Sequence, residues 1–196
     1  IEGHEKIKIT SINKSNYSDL IDISNNFKFS FENSGYMTKY NIYTCKTMPR
    51  MTDPITLGQI LLETYVDNHF FLTDLQNAKF TYLKGAKKIP RKSASGYEYM
   101  YSEGAMSYPD SVDKPGRTML TSEGTINRST HVVVDKITGK LRLLTPTECE
   151  RLNQFPDNWT DTMNEKRRYF MMGNALVTGI IKKLGYSISQ YIDLED

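Results

Sequence analysis

RLLTPTECERLNQFPDNWT, residues 142–160, decides how the rest of the chain is read. Thr145-Pro146-Thr147-Glu148 is a helix start. Thr145 stands where a cap belongs, and Pro146 suits the first helical position, where a missing N–H is no loss. Glu148 stands three residues after Thr145, the spacing of a capping box. Cys149, Leu152 and Phe155 give a narrow apolar stripe at helical spacing. Pro156 ends the run because it cannot donate the next helical hydrogen bond. The Gln-Phe-Pro-Asp-Asn-Trp that follows is more specific than a surface turn requires.

Downstream the chain reads as helical. One helix is predicted at about 164–172, ending at Gly173, and another at about 175–184, stopping at Gly185. The second carries Ala175, Leu176, Val177, Ile180, Ile181 and Leu184. Upstream, THVVVD (130–135) is the clearest strand, and ITGKLRLLT (137–145) turns at Thr138-Gly139 and runs extended. Residues 5–30 read as one or two strands around a polar link from Asn13 to Asp19. Residues 31–44 read as a hairpin with Asn33-Ser34-Gly35 as its turn. Thr56 and Gln59 have capping-box spacing at the head of a helix predicted over 53–65, and a short helix is predicted near 67–77. Residues 78–101 are predicted strand–loop–strand. From there to Ile126 recurrent Gly and Pro predict loops.

The 196 residues suit one domain, or a domain with a small lobe. Hydrophobic content is 38% with 13 Tyr, so the core is expected to draw on aromatic as well as aliphatic side chains. A net charge of +2 names no partner by itself. The two cysteines, Cys45 and Cys149, lack metal-ligand spacing. Two free thiols fit a reducing cytosol, and no metal is expected. No apolar run approaches the ~18 residues of a membrane span, and no signal peptide is visible. The first residue is Ile rather than Met, which points to a fragment of a longer chain.

Two polar segments are candidate contact surfaces. Lys84, Lys87, Lys88, Arg91 and Lys92 form a basic run without an acidic residue, flanked by Tyr82, Tyr97, Tyr99 and Tyr101. Such cations suit phosphate contact, although a charge run is more often a solvated face. GRTMLTSEGTINRST, residues 116–130, gathers Arg117, Thr118, Thr121, Ser122, Glu123, Asn127, Arg128 and Ser129. Arg can address guanine, Asn adenine, and Glu the cytosine amino group. An irregular polar loop is the plainer alternative.

Leu144-Thr145-Pro146, Glu148, Glu150-Arg151-Leu152 and Phe155-Pro156-Asp157 together resemble motif IX of the bacterial DNA cytosine-5 methyltransferases. MGNALVTGI (172–180) resembles their motif X, at a fitting spacing. RTMLTSEG (117–124) resembles the target-recognition loop that precedes motif IX, with Met119 at the second place of its usual Thr-Leu or Thr-Val pair. YLKGAKK and YSEGAMSYPD resemble the variable region of restriction-modification members. Gln154 stands where the family pattern has glycine. If that turn is left-handed, Gln154 is expected at positive φ.

The resemblance implies an α+β fold. A β-rich lead-in (1–50) comes from a catalytic domain on absent sequence. A target-recognition domain of short strands and loops (51–160) includes motif IX. Closing helices (161–196) would dock on the missing Rossmann-like domain. Family members attack cytosine C6 with a Pro-Cys thiolate, take the methyl group from S-adenosylmethionine and rotate the base out of the duplex. The Pro-Cys-Gln loop, the Glu-Asn-Val segment, the glycine-rich cofactor loop and the Gln-x-Arg-x-Arg strand all lie outside these 196 residues. The resemblance therefore implies a DNA-binding part of such an enzyme, inactive alone and without catalytic residues of its own.

Its implied duplex-DNA contacts are Lys87, Lys88, Arg91, Lys92, Arg117, Thr118, Thr121, Ser122, Glu123, Asn127 and Arg128. Asn174, Ala175 and Leu176 would line one side of the S-adenosylmethionine pocket, with Asn174 also a candidate helix N-cap. Cys149 is expected in the core, and Phe155, Pro156 and Trp159 as scaffold. The 175–184 helix would leave its aliphatics partly exposed without the catalytic domain, and so self-associate, pack on a neighbour or lose order. The bacterial cytoplasm, at the nucleoid when DNA-bound, is the implied location. A stand-alone DNA-binding regulator or specificity subunit is the alternative, and a plain structural domain a third class.

Overall fold

The structure is a computed structural model that describes residues 6–49 and 52–192. The chain divides into two compact units between Asp53 and Pro54. Helices and small antiparallel sheets are mixed throughout, compatible with the α+β class expected.

The first unit holds strands β1 (Lys8–Ser11), β2 (Ser34–Thr38) and β3 (Asn41–Cys45) in the order β1-β3-β2, with helix α1 (Leu20–Asn26) between β1 and β2 in sequence. Residues 20–26 are helical where extended chain was expected, because Asp19 accepts the Asp22 N–H at 2.8 Å and caps the first turn. The hairpin turn also lies elsewhere than predicted. Lys39 (φ 46°) and Tyr40 (φ 65°) form it, the paired positive angles of a type I′ turn. Gly35 instead enters β2, where a Cβ would overlap the Tyr43 carbonyl.

The second unit begins with α2 (Leu57–Ile60) and continues through α3 (Asp74–Lys84), β4 (Lys87–Lys92), β5 (Glu98–Glu103), β6 (Val132–Val134), β7 (Leu141–Leu143), α4 (Pro146–Leu152), α5 (Glu165–Asn174) and α6 (Thr178–Ile192). Its core packs Leu57, Ile60, Leu61, Val66, Phe70, Met119, Val133, Leu144, Cys149, Tyr169 and Met172. Tyr169 and Met172 of α5 thus share one core with Leu57 of α2 and Cys149 of α4.

The predicted helix over 53–65 is reduced to α2. Its Thr56/Gln59 capping box forms, but tertiary partners capture the next backbone groups. Arg151 donates to the Ile60 carbonyl at 3.2 Å, and the Leu62 N–H donates to Glu148 at 2.8 Å. The helix predicted near 67–77 starts and ends later, as α3 to Lys84, from a capping box of Thr73 and Gln76. Residues 78–84 are thus helix, and the following strand pair is the β4–β5 hairpin, with Lys87 opposite Glu103 and Lys92 opposite Glu98. β6 and β7 pair across the expected Thr138-Gly139 turn, where Gly139 takes φ 68°. The last helix does not stop at Gly185 but continues to Ile192. Among the described residues no helix is long and apolar enough to cross a membrane.

Candidate nucleic-acid interface

The loop 116–130 is built around buried anchors. Asp110 is the first: its Oδ2 accepts Lys84 Nζ at 3.0 Å and the Val132 N–H at 2.9 Å, and its Oδ1 accepts Arg117 Nε at 2.8 Å. Burial pulls the Asp110 pKa up, but Arg117, the Val132 amide and Lys84 outweigh it and hold the carboxyl below its ordinary value. Lys84, counted in the basic run by sequence, is thereby removed from any surface; burial lowers its pKa while Asp110 partly offsets this.

Glu123 is the second anchor. Only 3% exposed, it accepts the His131 backbone N–H at 2.8 Å and faces His131 Nδ1 at 3.1 Å. It was expected to read cytosine, but its carboxylate is spent inside the loop. Asn127 is a third internal staple. Its Oδ1 accepts the Ser129 and Thr130 N–H groups at 2.8 and 3.1 Å, and its Nδ2 donates to Thr130 Oγ1 at 2.7 Å. Arg128 donates to the Leu83 carbonyl at 2.6 Å and to that of Gly104, clamping the loop to the base of the β4–β5 hairpin. Arg117 also donates to the Ser129 carbonyl at 2.9 Å.

These inward commitments leave a distinct outward set. Thr118, Thr121 and Ser122 are exposed, as are Leu120, Thr125 and Ile126, which the sequence reading did not single out. Met119 between them is buried in the core, so the loop alternates out and in at its first turn. On the hairpin, Lys88, Arg91 and Lys92 are exposed. Arg91 lies 3.8 Å over the Tyr101 ring, and Lys92 is 3.4 Å from Glu98. Lys87 is turned back, donating to the Leu83 carbonyl at 2.8 Å.

Residues 142–160 share a core with Met119 of this loop through Leu144 and Cys149. Arg142, fully buried, donates to both Glu148 oxygens at 2.7 Å and to Asp135 at 2.8 Å. Glu148 Oε2 also accepts the Thr145 N–H at 2.7 Å, so the expected capping box is one arm of a larger network. Glu150 accepts the Thr160 N–H and Arg168, both at 2.9 Å, joining α4 to α5. Cys149 is wholly buried, and burial raises its thiol pKa well above the ordinary value. Phe155 packs on the core, but Trp159 is 63% exposed, more open than scaffold requires. Gln154 takes φ 62°, the left-handed turn expected there.

Asn174 is the last residue of α5, not an N-cap; its Nδ2 donates to the Phe170 carbonyl at 3.0 Å. Ala175 caps the C-terminus and Leu176 is exposed. No group of acidic, histidine or cysteine residues among the described residues is arranged to hold a metal.

The family model for C-5 cytosine-specific DNA methylase matches residues 7–190. The chain is 52% identical over 172 residues to the Type II methyltransferase M.Sau3AI of Staphylococcus aureus, covering 88% of this chain and 41% of that protein. It is 26% identical over 162 residues to the Type II methyltransferase M.DsaV of Dactylococcopsis salina, covering 83% of this chain and 43% of the relative. Among solved structures, the Entamoeba histolytica methyltransferase EhMeth aligns with 97% of this chain and 55% of its own, at TM-score 0.45 and 14% identity. The chain thus spans about two fifths of the length of the curated relatives it matches.

Proposed function

Because the chain belongs to the C-5 cytosine-specific DNA methylase family, we propose that it is the target-recognition and closing part of a DNA cytosine-5 methyltransferase. The observation that carries this reading is the division of labour in loop 116–130. Asp110, Glu123 and Asn127 fix it from within, while Thr118, Thr121 and Ser122 stand outward on a preorganised frame. Hydroxyls held this way suit base edges and phosphate oxygens. Lys88, Arg91 and Lys92 on the neighbouring hairpin supply sequence-independent attraction to the duplex backbone. Arg117, Glu123, Asn127, Arg128 and Lys87 shape that surface instead of contacting DNA.

The family chemistry requires S-adenosylmethionine, which supplies the methyl group when bound. Asn174 would offer its amide to that ligand, with Ala175 and Leu176 beside it. The nucleophilic Pro-Cys thiolate is not among these residues, and neither Cys45 nor Cys149 replaces it. Cys149 is sealed in the core, and Cys45 sits on β3 after Thr44. The exposed apolar side chains of α6 suit docking on the catalytic domain, in the same chain or in a separate subunit.

A complementation assay tests this reading. The 196-residue chain alone is expected to shift duplex DNA without transferring methyl groups from S-adenosylmethionine. Mixed with the remaining part of its parent protein, it is expected to restore cytosine methylation. Methyl transfer by the chain alone, or restored methylation without it, would overturn the proposal.

A further inference from the structure

The recognition loop and helix α5 interlock through two reciprocal glycine contacts. Gly173, in the last turn of α5, lies against the backbone of the loop: a Cβ there would overlap the Leu120–Thr121 peptide. Gly124, at φ 78° within the loop, lies against the Tyr169 ring, and a Cβ there would overlap the ring. One glycine on each side therefore admits the other partner. Backbone cannot move aside as a flexible side-chain tip can, so the Gly173 contact fixes where Leu120 and Thr121 run.

The α5 side of this joint is itself held. Tyr169 Oη donates to the Leu144 carbonyl at 2.6 Å, and Asn153 Nδ2 donates to the Met172 carbonyl at 2.7 Å. Both acceptor and donor belong to the motif IX segment or its immediate flank. Gly173 is followed at once by Asn174, the candidate cofactor wall. The same turn of helix thus touches the loop with one residue and presents the amide with the next.

We infer that Tyr169 and Gly173 are positioning residues that template the DNA-reading loop on α5, so that base recognition and the closing wall of the cofactor pocket form one mechanical unit. This rests on the reading of 116–130 as the DNA-reading loop. Neither residue touches DNA; they act through Leu120, Thr121 and Gly124.

The test uses the full-length protein that carries this segment, with a duplex it selects from a random-sequence pool and a scrambled duplex of equal length. Gly173→Ala is expected to lower the ratio of the two affinities at least tenfold. Binding to the scrambled duplex should stay within twofold, because the hairpin cations are untouched. Thr121→Ala and Ser122→Ala examine the underlying reading separately. If they leave the ratio intact, the loop is not the reader and the inference falls with that reading. If they lower it but folded Gly173→Ala does not, the reading stands and the templating is wrong. Should Gly173→Ala fail to fold, amide exchange in the wild-type protein decides. The selected duplex, and not the scrambled one, is expected to slow exchange in residues 168–174, and no change there contradicts the inference.

Discussion

Arg142 and Glu148 form a fully buried, bidentate ion pair, with both Glu148 oxygens 2.7 Å from the guanidinium and Asp135 2.8 Å from its third nitrogen. The pair links β7 to the first turn of α4, and Glu148 extends it to the Leu62 amide. It is the keystone of the 142–160 segment, tying β7 and α4 to the chain after α2. Arg142→Met leaves two carboxylates buried and unpaired. Such a loss costs about 3–5 kcal/mol. Urea denaturation should show a drop of that size, and a change below about 1 kcal/mol would mean the network relaxes or hydrates.

Acid should erode the same network. Burial raises the Asp135 pKa, but the Thr138 amide and Arg142 outweigh it and bring it down to about 2. A carboxyl depressed in the folded state stabilises above its unfolded pKa, and that contribution disappears as the pH falls through the folded one. Asp135 should therefore contribute fully above pH about 4 and lose its contribution towards pH about 2. Asp135→Asn is expected to flatten the urea midpoint across that window. His69 has the opposite sign. Hydrogen bonds to Asp67 and Glu165, each 2.8 Å, raise its pKa above the ordinary 6.5. Its modest contribution is present below that value and fades as the pH rises through the raised one.

Gln154 holds φ 62° where only glycine is unstrained. The turn directs the Asn153 and Gln154 carbonyls to Thr178, at 3.0 Å from its N–H and 2.6 Å from its hydroxyl, which seats α6. Gln154→Gly relieves a left-handed strain of about 1 kcal/mol and should raise the urea midpoint accordingly. A loss of stability would show that the Gln154 side chain, which lies against Gly179, holds more than the strain costs.

The two thiols should separate chemically. Cys45 is partly exposed and Cys149 is sealed. A neutral-pH thiol reagent is expected to label one group in the native chain and the second only in denaturant. Rapid labelling of both would place an opening motion at the centre of α4.

Ile180, Ile181, Leu184, Ile188 and Tyr191 repeat at helical spacing on α6, and all are 43–65% exposed. An apolar stripe of this kind on an isolated segment promotes association. The 196-residue chain should sediment as a concentration-dependent oligomer, and Ile181→Lys with Leu184→Lys should restore a monomer. A wild-type monomer at all concentrations would contradict this.

The sequence made the second half of the chain more legible than the first. Thr145-Pro146-Thr147-Glu148 specified α4 because its signals are local: a cap, a fixed φ and a short reach from Glu148 back to the backbone. The 53–65 helix failed for the converse reason. Its continuation is interrupted by Glu148 and Arg151, residues distant in sequence that take its backbone partners. The hairpin turn carries Lys39 and Tyr40, neither glycine nor asparagine, at its two central positions, so nothing there announced it. In the loop, polar residues were visible but their direction was not. Glu123, Asn127 and Arg128 look like readers in the sequence, and in space each hydrogen-bonds within the fold. The Thr73-Gln76 spacing is a local capping-box signal that marks the true start of α3.

Duplex-DNA affinity measured against salt decides whether this chain is a DNA-binding part. The 196-residue chain should bind duplex DNA at low salt. Its log–log salt slope should fall by about 0.9 for each phosphate contact removed when Lys88, Arg91 and Lys92 are changed to Ala. Failure of the wild-type chain to bind duplex DNA at low salt, or an unchanged slope in the triple variant, would contradict that role.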